Sequence, residues 1–332
     1  MERAAGTWGR RTLEYGMTFL IAIAINFALP RLAPGDPLLY LIGPEATELG
    51  PEERREVLAV YGLDRPLPVQ FWEYLVGILR GDLGTSVMYG QPVSDVLLAR
   101  LPWTLLLVGS ALLIAVVCGT LLGALSAWHE GDRTDVGLVT AVVFAMSAPG
   151  FWVGMLFIAI FAAWLGWFPS YGMRSLDAGT TALGAIRDVL WHLTLPVAAL
   201  SLTHLGGIYL IARNSVLSTL GEDFLLLSRA KGCSDREVLL RHAVPNSLLP
   251  VYTRFTLQVG AAIGGAVVIE TVFTYPGVGR LIFDAAVARD YPTLQGAFLL
   301  LTVTVIGANL VADLTYARLD PRTTAEREGS AP

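Results

Sequence analysis

Long apolar stretches separated by polar segments dominate this chain. Six of them approach the roughly 20 residues that a helix needs to cross a bilayer: residues 13–30, 102–128, 137–164, 190–212, 248–273 and 293–317. Arg10 and Arg11 precede the first, as in a signal peptide, but no small-residue cleavage site follows and five more stretches do. It therefore reads as a retained helix. Pro149 and Pro196 fall inside stretches and predict kinks, because the carbonyls they free need another partner. The pattern predicts an all-α polytopic membrane protein with six transmembrane helices.

Two longer polar segments interrupt the pattern. Residues 31–101 hold ten acidic residues against six arginines. Within them "PEERREVLAVYGL" (51–63) begins with proline and acids, as a helix N-terminus should. "VQFWEYLVGILRGDLG" (69–84) spaces Phe71, Leu75, Ile78 and Leu79 along one face, which predicts a second amphipathic helix. This segment is expected to be helical and extracytoplasmic, either as a cap on the bundle or as a docking surface.

The other is "SRAKGCSDREVLLRHAVPN" (228–246), which contains Lys231, the only lysine of the chain. Residues 221–245 read as two short helices around a glycine. Glu222 and Asp223 suit a helix start, Arg229 and Lys231 its last turn, and Gly232 a left-handed terminating position. Ser234 opens a capping box with Glu237, and Pro245 is expected to end the second helix near Val244. Val238, Leu239 and Ala243 share one side, with Arg236, Arg241 and His242 elsewhere. Each arm would be about 15 Å long.

Composition agrees with a membrane location. Hydrophobic residues make up 54% of the 332 and charged residues 15%, with a mean hydropathy of +0.58; soluble domains carry about a quarter charged residues. A net charge of −5 argues against a nucleic-acid partner, which would call for a basic face. Cys118 and Cys233 lie in unrelated segments and form no disulfide framework. The N-terminus, the 129–135 loop, 213–247 and the tail hold twelve basic residues, and the longer alternate loops ten. The charge rule therefore places both termini and the basic hairpin in the cytoplasm.

"LLSRAKGCSDREVLLRHAVPNSLLP" (226–250) resembles the cytoplasmic coupling signature of ABC importer permeases. The spacing from Gly232 to Pro250 resembles the dipeptide/oligopeptide/nickel branch. The likeness continues through "RLAPGDP" (31–37), "YGLDRPLPVQF" (61–71), "LRGDLGTSV" (79–87), "ARLPWTLLL" (99–107), "SAPGFWVGMLF" (147–157), "LGWFPSYG" (165–172), "ETVFTYPGVGRLIF" (270–283), "RDYPTLQG" (289–296) and "YARLDPR" (316–322). With its long outer loop the chain resembles the first of the two permeases in such systems. It departs from the general Glu-Ala-Ala signature at Leu226, Leu227 and Ser228.

The resemblance implies a type I ABC importer permease in the inner (cytoplasmic) membrane, with residues 1–98 as first span and outer segment. A five-span core would follow over 99–317, with a cytoplasmic tail over 318–332. It implies a second homologous permease, one or two ATP-binding subunits and an extracytoplasmic substrate-binding protein as partners, besides membrane lipid and no nucleic acid. Ser228, Arg229, Ala230, Lys231, Gly232, Ser234, Glu237, Arg241, Asn246 and Pro250 would couple the chain to the ATPase. The chain itself is expected to hold no cofactor, with ATP and Mg bound by the partner ATPases.

The residues agree that ATP binds elsewhere. A phosphate-binding loop needs Gly-Lys-Ser/Thr, and Lys231 lies between Ala230 and Gly232. His129-Glu130 lacks the second histidine of a zinc protease, since Arg133 stands there, and no Gly-x-Ser-x-Gly occurs. No catalytic or metal-binding residues are expected. Polar residues within spans are costly in lipid and mark cavities or helix contacts; His204, Gln258, Asn309 and Asp313 are the candidates for the translocation path. Gly260 and Gly264 suggest close helix packing, and Glu270 and Arg280 bracket "TYPGVG" at an outer loop. Two other readings compete: nickel or metal-chelate import, which would favour clustered histidines that this chain lacks, and an ATP-independent secondary transporter, which needs no capped hairpin. A peptide solute is the expectation.

Overall fold

The computed structural model describes residues 2–32, 38, 46, 48–60, 64–175 and 181–319. They form helices joined by turns, in two compact units. Four helices are long and apolar enough to cross a membrane: Val93–Trp128, Ala182–Leu220, Asp235–Val272 and Tyr291–Val311. A fifth candidate is a bent pair, and a shorter apolar stretch, Leu13–Ala28, lies in the first helix.

The first unit comprises Met1–Trp103 and Gly277–Gly307. It contains α1 (Glu2–Leu32), α2 (Pro51–Val60), α3 (Leu67–Arg80), the start of α4 (Val93–Trp128) and α11 (Val278–Ala288). It also holds most of the closing helix, α12 (Tyr291–Leu319). Both outer helices expected from the polar segment are present, α2 ending at Val60, with residues 61–63 outside the described set. In α3 the inward side is Phe71, Tyr74, Leu75 and Ile78, whereas Leu79 is 76% exposed. Tyr74 takes the inward place, because i, i+3, i+4 and i+7 close one stripe and residue i+8 leaves it.

Val93, Val96 and Leu97 of α4 pack with Val278, Leu281, Ile282 and Ala285 of α11 and with Leu294 and Ala297 of α12. Gly296 permits the close approach: a Cβ there would lie 2.4 Å from Val93. Polar clamps complete this core. The Asn26 amide donates to the Gln295 carbonyl at 2.7 Å, and the Gln295 amide returns to the Asn26 carbonyl at 2.9 Å. Asn26 also donates to the Tyr74 hydroxyl, whose pKa burial pushes up to about 12. Asp290, fully buried, accepts from the Ser86 hydroxyl (2.5 Å), the Met88 N–H (3.1 Å) and both the N–H and hydroxyl of Thr293. One carboxylate thus caps α12 and pins the turn before α4.

The second unit comprises Thr104–Pro276 and Ala308–Pro332. After α4 come α5 (Arg133–Met146), α6 (Gly150–Phe157) extended by a π-helical turn (Ile158–Trp164), and α7 (Ala182–Leu220). Two short elements, α8 (Asp223–Ala230) and α9 (Asp235–Glu237), lead through a second π-helical turn (Val238–Ala243) into α10 (Val244–Val272). α7 lies along α10, and both meet α6.

At Pro149 the kink expected is a full break: α5 and the α6 pair bend by 100° around it. Proline bars its predecessor from helical backbone, and at the start of the next helix its missing N–H costs nothing. Pro196 sits inside an uninterrupted α7. Pro245 does not end the hairpin's second helix either. It occupies the first turn of α10, and Asp235–Val272 runs as one helical segment. The π-helical turn before it shifts the hydrogen-bond register, which places proline where no donor is required.

The close small-residue contact is not at Gly264, where an added Cβ would meet nothing within 4 Å. It is at Gly119 and Gly123 of α4. A Cβ on Gly123 would lie 2.7 Å from the Tyr209 carbonyl oxygen and 2.9 Å from the Arg213 nitrogen, so the α4 and α7 backbones touch there. Glu270 is fully buried and accepts from the Thr104 hydroxyl at 2.6 Å. Its carboxylate therefore serves packing within the second unit.

Candidate functional site

The basic segment folds into a capped hairpin. α8 ends at Ala230 with Lys231 as its C-cap, and Gly232 has φ +84°. The Cys233 N–H donates to the Ser228 carbonyl (3.3 Å) and the Gly232 N–H to that of Arg229 (2.9 Å). This pair of bonds is the Schellman arrangement, which requires a left-handed residue and therefore favours glycine. Two residues on, Ser234 and Glu237 form the reciprocal capping box: the Ser234 N–H donates to Glu237 Oε2 at 3.1 Å, and the Glu237 N–H to Ser234 Oγ at 3.4 Å. The backbone thus leaves one helix and enters the next with its end groups satisfied.

The arms share a small core of Leu225, Val238 and Ala243, all at most 1% exposed. Leu220 and Leu239 flank it and also pack on a second cluster, Ala124, Ala127 and Val216, at the ends of α4 and α7. Apolar contact therefore runs without a gap from the hairpin into the long helices. Outward, the hairpin presents Arg229, Lys231, Arg236 and Arg241 together with the equally exposed Glu222, Asp223 and Asp235, beside exposed Leu226, Leu227 and Leu240. Arg241 has a loose pair with Glu237 at 3.4 Å. Asn246 donates to the His242 carbonyl at 2.7 Å and Ser228 to that of Phe224, so both reinforce their own helices. Ala230 and Pro250 are exposed. An exposed surface of both charge signs and leucines on a packed support suits a protein partner with polar and apolar contacts.

Beside this support lies a network that sequence reasoning missed. Arg213 of α7 grips Asp135 of α5 with two hydrogen bonds, Nε to Oδ1 at 2.8 Å and Nη2 to Oδ2 at 2.6 Å. Asp135 also accepts from the Ser126 hydroxyl and the Gly131 N–H, and Ser126 bonds the Tyr209 hydroxyl. One carboxylate joins the ends of α4, α5 and α7. The available signal was Arg213 itself, a charge closing a long apolar helix, which sequence reasoning counted only toward orientation.

Of the four candidates for the translocation path, the structure brings two together. The Gln258 side chain, 5% exposed, donates to the His204 carbonyl at 3.1 Å and so ties α10 to α7. Asn309 is half-buried on α12, and no hydrogen bond joins it to these two among the described residues. The side chain of Asp313 lies outside the described residues.

Comparison with known proteins places this arrangement. Residues 119–325 match the family "Binding-protein-dependent transport system inner membrane component", and residues 8–108 match "Binding-prot-dependent transport system membrane comp, N-term". The oligopeptide transport system permease protein AppB of Bacillus subtilis is 36% identical over 315 residues, covering 94% of this chain and 97% of that one. The di/tripeptide transport system permease protein DppB of Pseudomonas aeruginosa is 36% identical over 324 residues, covering 93% and 96%. The glutathione transport system permease protein GsiC of Salmonella typhi is 37% identical over 313 residues, covering 94% and 96%. A solved structure of the MetNI methionine ABC transporter, in an inward-facing conformation, aligns with a TM-score of 0.56 at 15% identity. It covers 68% of this chain and 96% of that one, a likeness of fold, and the fold is the all-helical type I importer permease expected from the sequence. With both its N-terminal and main segments matched, the chain belongs to the family of binding-protein-dependent transport system inner membrane components.

Proposed function

We propose that this chain is one of two permease subunits of an ATP-driven importer of peptides, and that the Schellman-capped hairpin around Gly232 is its contact with an ATP-binding subunit. The hairpin carries the reading: a doubly capped knob of charged residues and leucines, continuous in packing with α4 and α7, can pass a push into the membrane helices. ATP and Mg belong to the partner ATPases, and this chain holds no cofactor. An extracytoplasmic binding protein delivers the solute, and ATP-driven closure of the ATPases biases the helices between two arrangements. The peptide class follows the relatives, which transport oligopeptides, di- and tripeptides and glutathione. The test is uptake of a labelled tripeptide by the complete importer in proteoliposomes. Uptake that needs both ATP and the binding protein is expected; ATP-independent uptake driven by a gradient would show a secondary transporter instead.

The same reading makes α1 and the bent pair of α5 and α6 count as crossings, giving six spans with both termini cytoplasmic. In a variant lacking Cys118 and Cys233, an impermeant thiol reagent outside intact cells should label Glu73→Cys and miss Ser228→Cys. The reverse labelling would overturn the orientation.

A further inference from the structure

Span α10 carries an arginine that the coupling hairpin does not use. Arg254 lies ten residues past Val244, about 15 Å along the helix axis. It is half-buried, and no carboxylate pairs with it among the described residues. A charge within a membrane span is costly, so it faces a cavity or a partner. Its surroundings are polar and incompletely satisfied. A Cβ built on Gly207 of α7 would lie 2.9 Å from Arg254 Nη2 and 3.3 Å from Gln258 Nε2, so the two groups converge within about 6 Å over this glycine.

Two side-chain atoms along this α7–α10 seam have no hydrogen-bond partner: Gln258 Oε1 next to Arg254, and His204 Nε2 further along. The Gln258 amide is oriented by its own bond, since its Nε2 donates to the His204 carbonyl and leaves Oε1 as a free acceptor. His204 Nε2 lies 3.8 Å from the corresponding position on Gly265 of α10, so the ring occupies the same α7–α10 seam. Buried polar atoms are rarely left unpaired in a finished structure. The set over Gly207 is one fixed cation and one oriented acceptor.

We infer that Arg254 and Gln258 form a carboxylate-binding station on the translocation path, holding the C-terminal carboxylate of a peptide at Arg254 and the adjoining amide N–H at Gln258 Oε1. A guanidinium offers two parallel donors to a carboxylate. The glycine at position 207 lets the guanidinium lie against α7. Half-burial keeps the site reversible: the arginine retains contact with water, and a solute held there can leave.

The inference rests on the reading of the chain as a peptide permease, and its test separates the two. The complete importer in proteoliposomes is given trialanine or trialanine amide, with wild type, Arg254→Gln and Gln258→Glu side by side. The binding protein is the same throughout, so the change in the acid-to-amide uptake ratio between wild type and variants reports the permease alone. Arg254→Gln should lower that ratio about tenfold, the loss of one charge-assisted contact. Gln258→Glu is nearly isosteric and gives Arg254 an internal anion, so it should lower the ratio similarly. If wild type takes up neither peptide, the peptide reading itself fails. If wild type takes up both and neither variant changes the ratio, the station is overturned while the peptide reading stands. Loss of the second permease from the purified Arg254→Gln complex, with an unchanged ratio in Gln258→Glu, assigns Arg254 to the contact between subunits and also overturns it.

Discussion

Gly232→Val is expected to leave the protein inserted in the membrane and to abolish coupled transport. Space is not the obstacle, since a Cβ at this position meets nothing within 4 Å. The obstacle is the backbone: φ is +84°, a region that costs an L-residue about 1–2 kcal/mol and a β-branched one more. Valine relieves this strain by leaving the left-handed region. The bonds from Cys233 to Ser228 and from Gly232 to Arg229 are then lost, and the Ser234 capping box no longer starts in register. Leu225 on one arm and Val238 and Ala243 on the other share a core, so a change of backbone direction at residue 232 strains the packing of both arms and re-aims the hairpin. Co-purification of the ATP-binding subunits and ATP-driven uptake in vesicles measure the outcome. Gly232→Asn, which tolerates the left-handed region, should retain much of both activities. Normal ATPase binding and normal uptake by Gly232→Val would mean that the hairpin is only a connector.

The second large effect is expected at the Asp135–Arg213 pair. Both side chains are largely shielded, at 6% and 19% exposure, and the fork geometry is bidentate. Removing one partner leaves a buried charge uncompensated, which typically costs about 3–5 kcal/mol, whereas removing both is far milder. Asp135 also holds Ser126 and the Gly131 N–H, so its loss loosens the joined ends of α4, α5 and α7, and the hairpin packs on the ends of α4 and α7. Arg213→Met alone should therefore lower the melting temperature of the purified complex markedly. Asp135→Leu combined with Arg213→Met should recover a large share of that loss, and a double-mutant cycle gives the coupling directly. Strict additivity of the two single changes would show that the pair is not acting as a unit.

What the sequence determined by itself is local. Whether a stretch can cross a membrane depends on its own composition and length, and the apolar runs of α4, α7, α10 and α12 are visible without a structure. The hairpin was legible for the same reason. Gly232, Ser234 and Glu237 act within six residues of chain, and a left-handed cap or a capping box needs no distant partner.

Only the tertiary structure decided what depends on a neighbour. Asp135 and Arg213 are 78 positions apart, and neither residue type announces its partner. Gly123 and Gly264 have the same small-residue spacing, yet only Gly123 meets another backbone, because packing rather than composition chooses the touching face. Glu270 reads as an outer-loop charge until Thr104 of α4 closes over it. Proline alone does not say whether a helix stops: Pro149 breaks its span by 100°, whereas Pro245 follows a π-helical turn directly and the segment Asp235–Val272 continues through it.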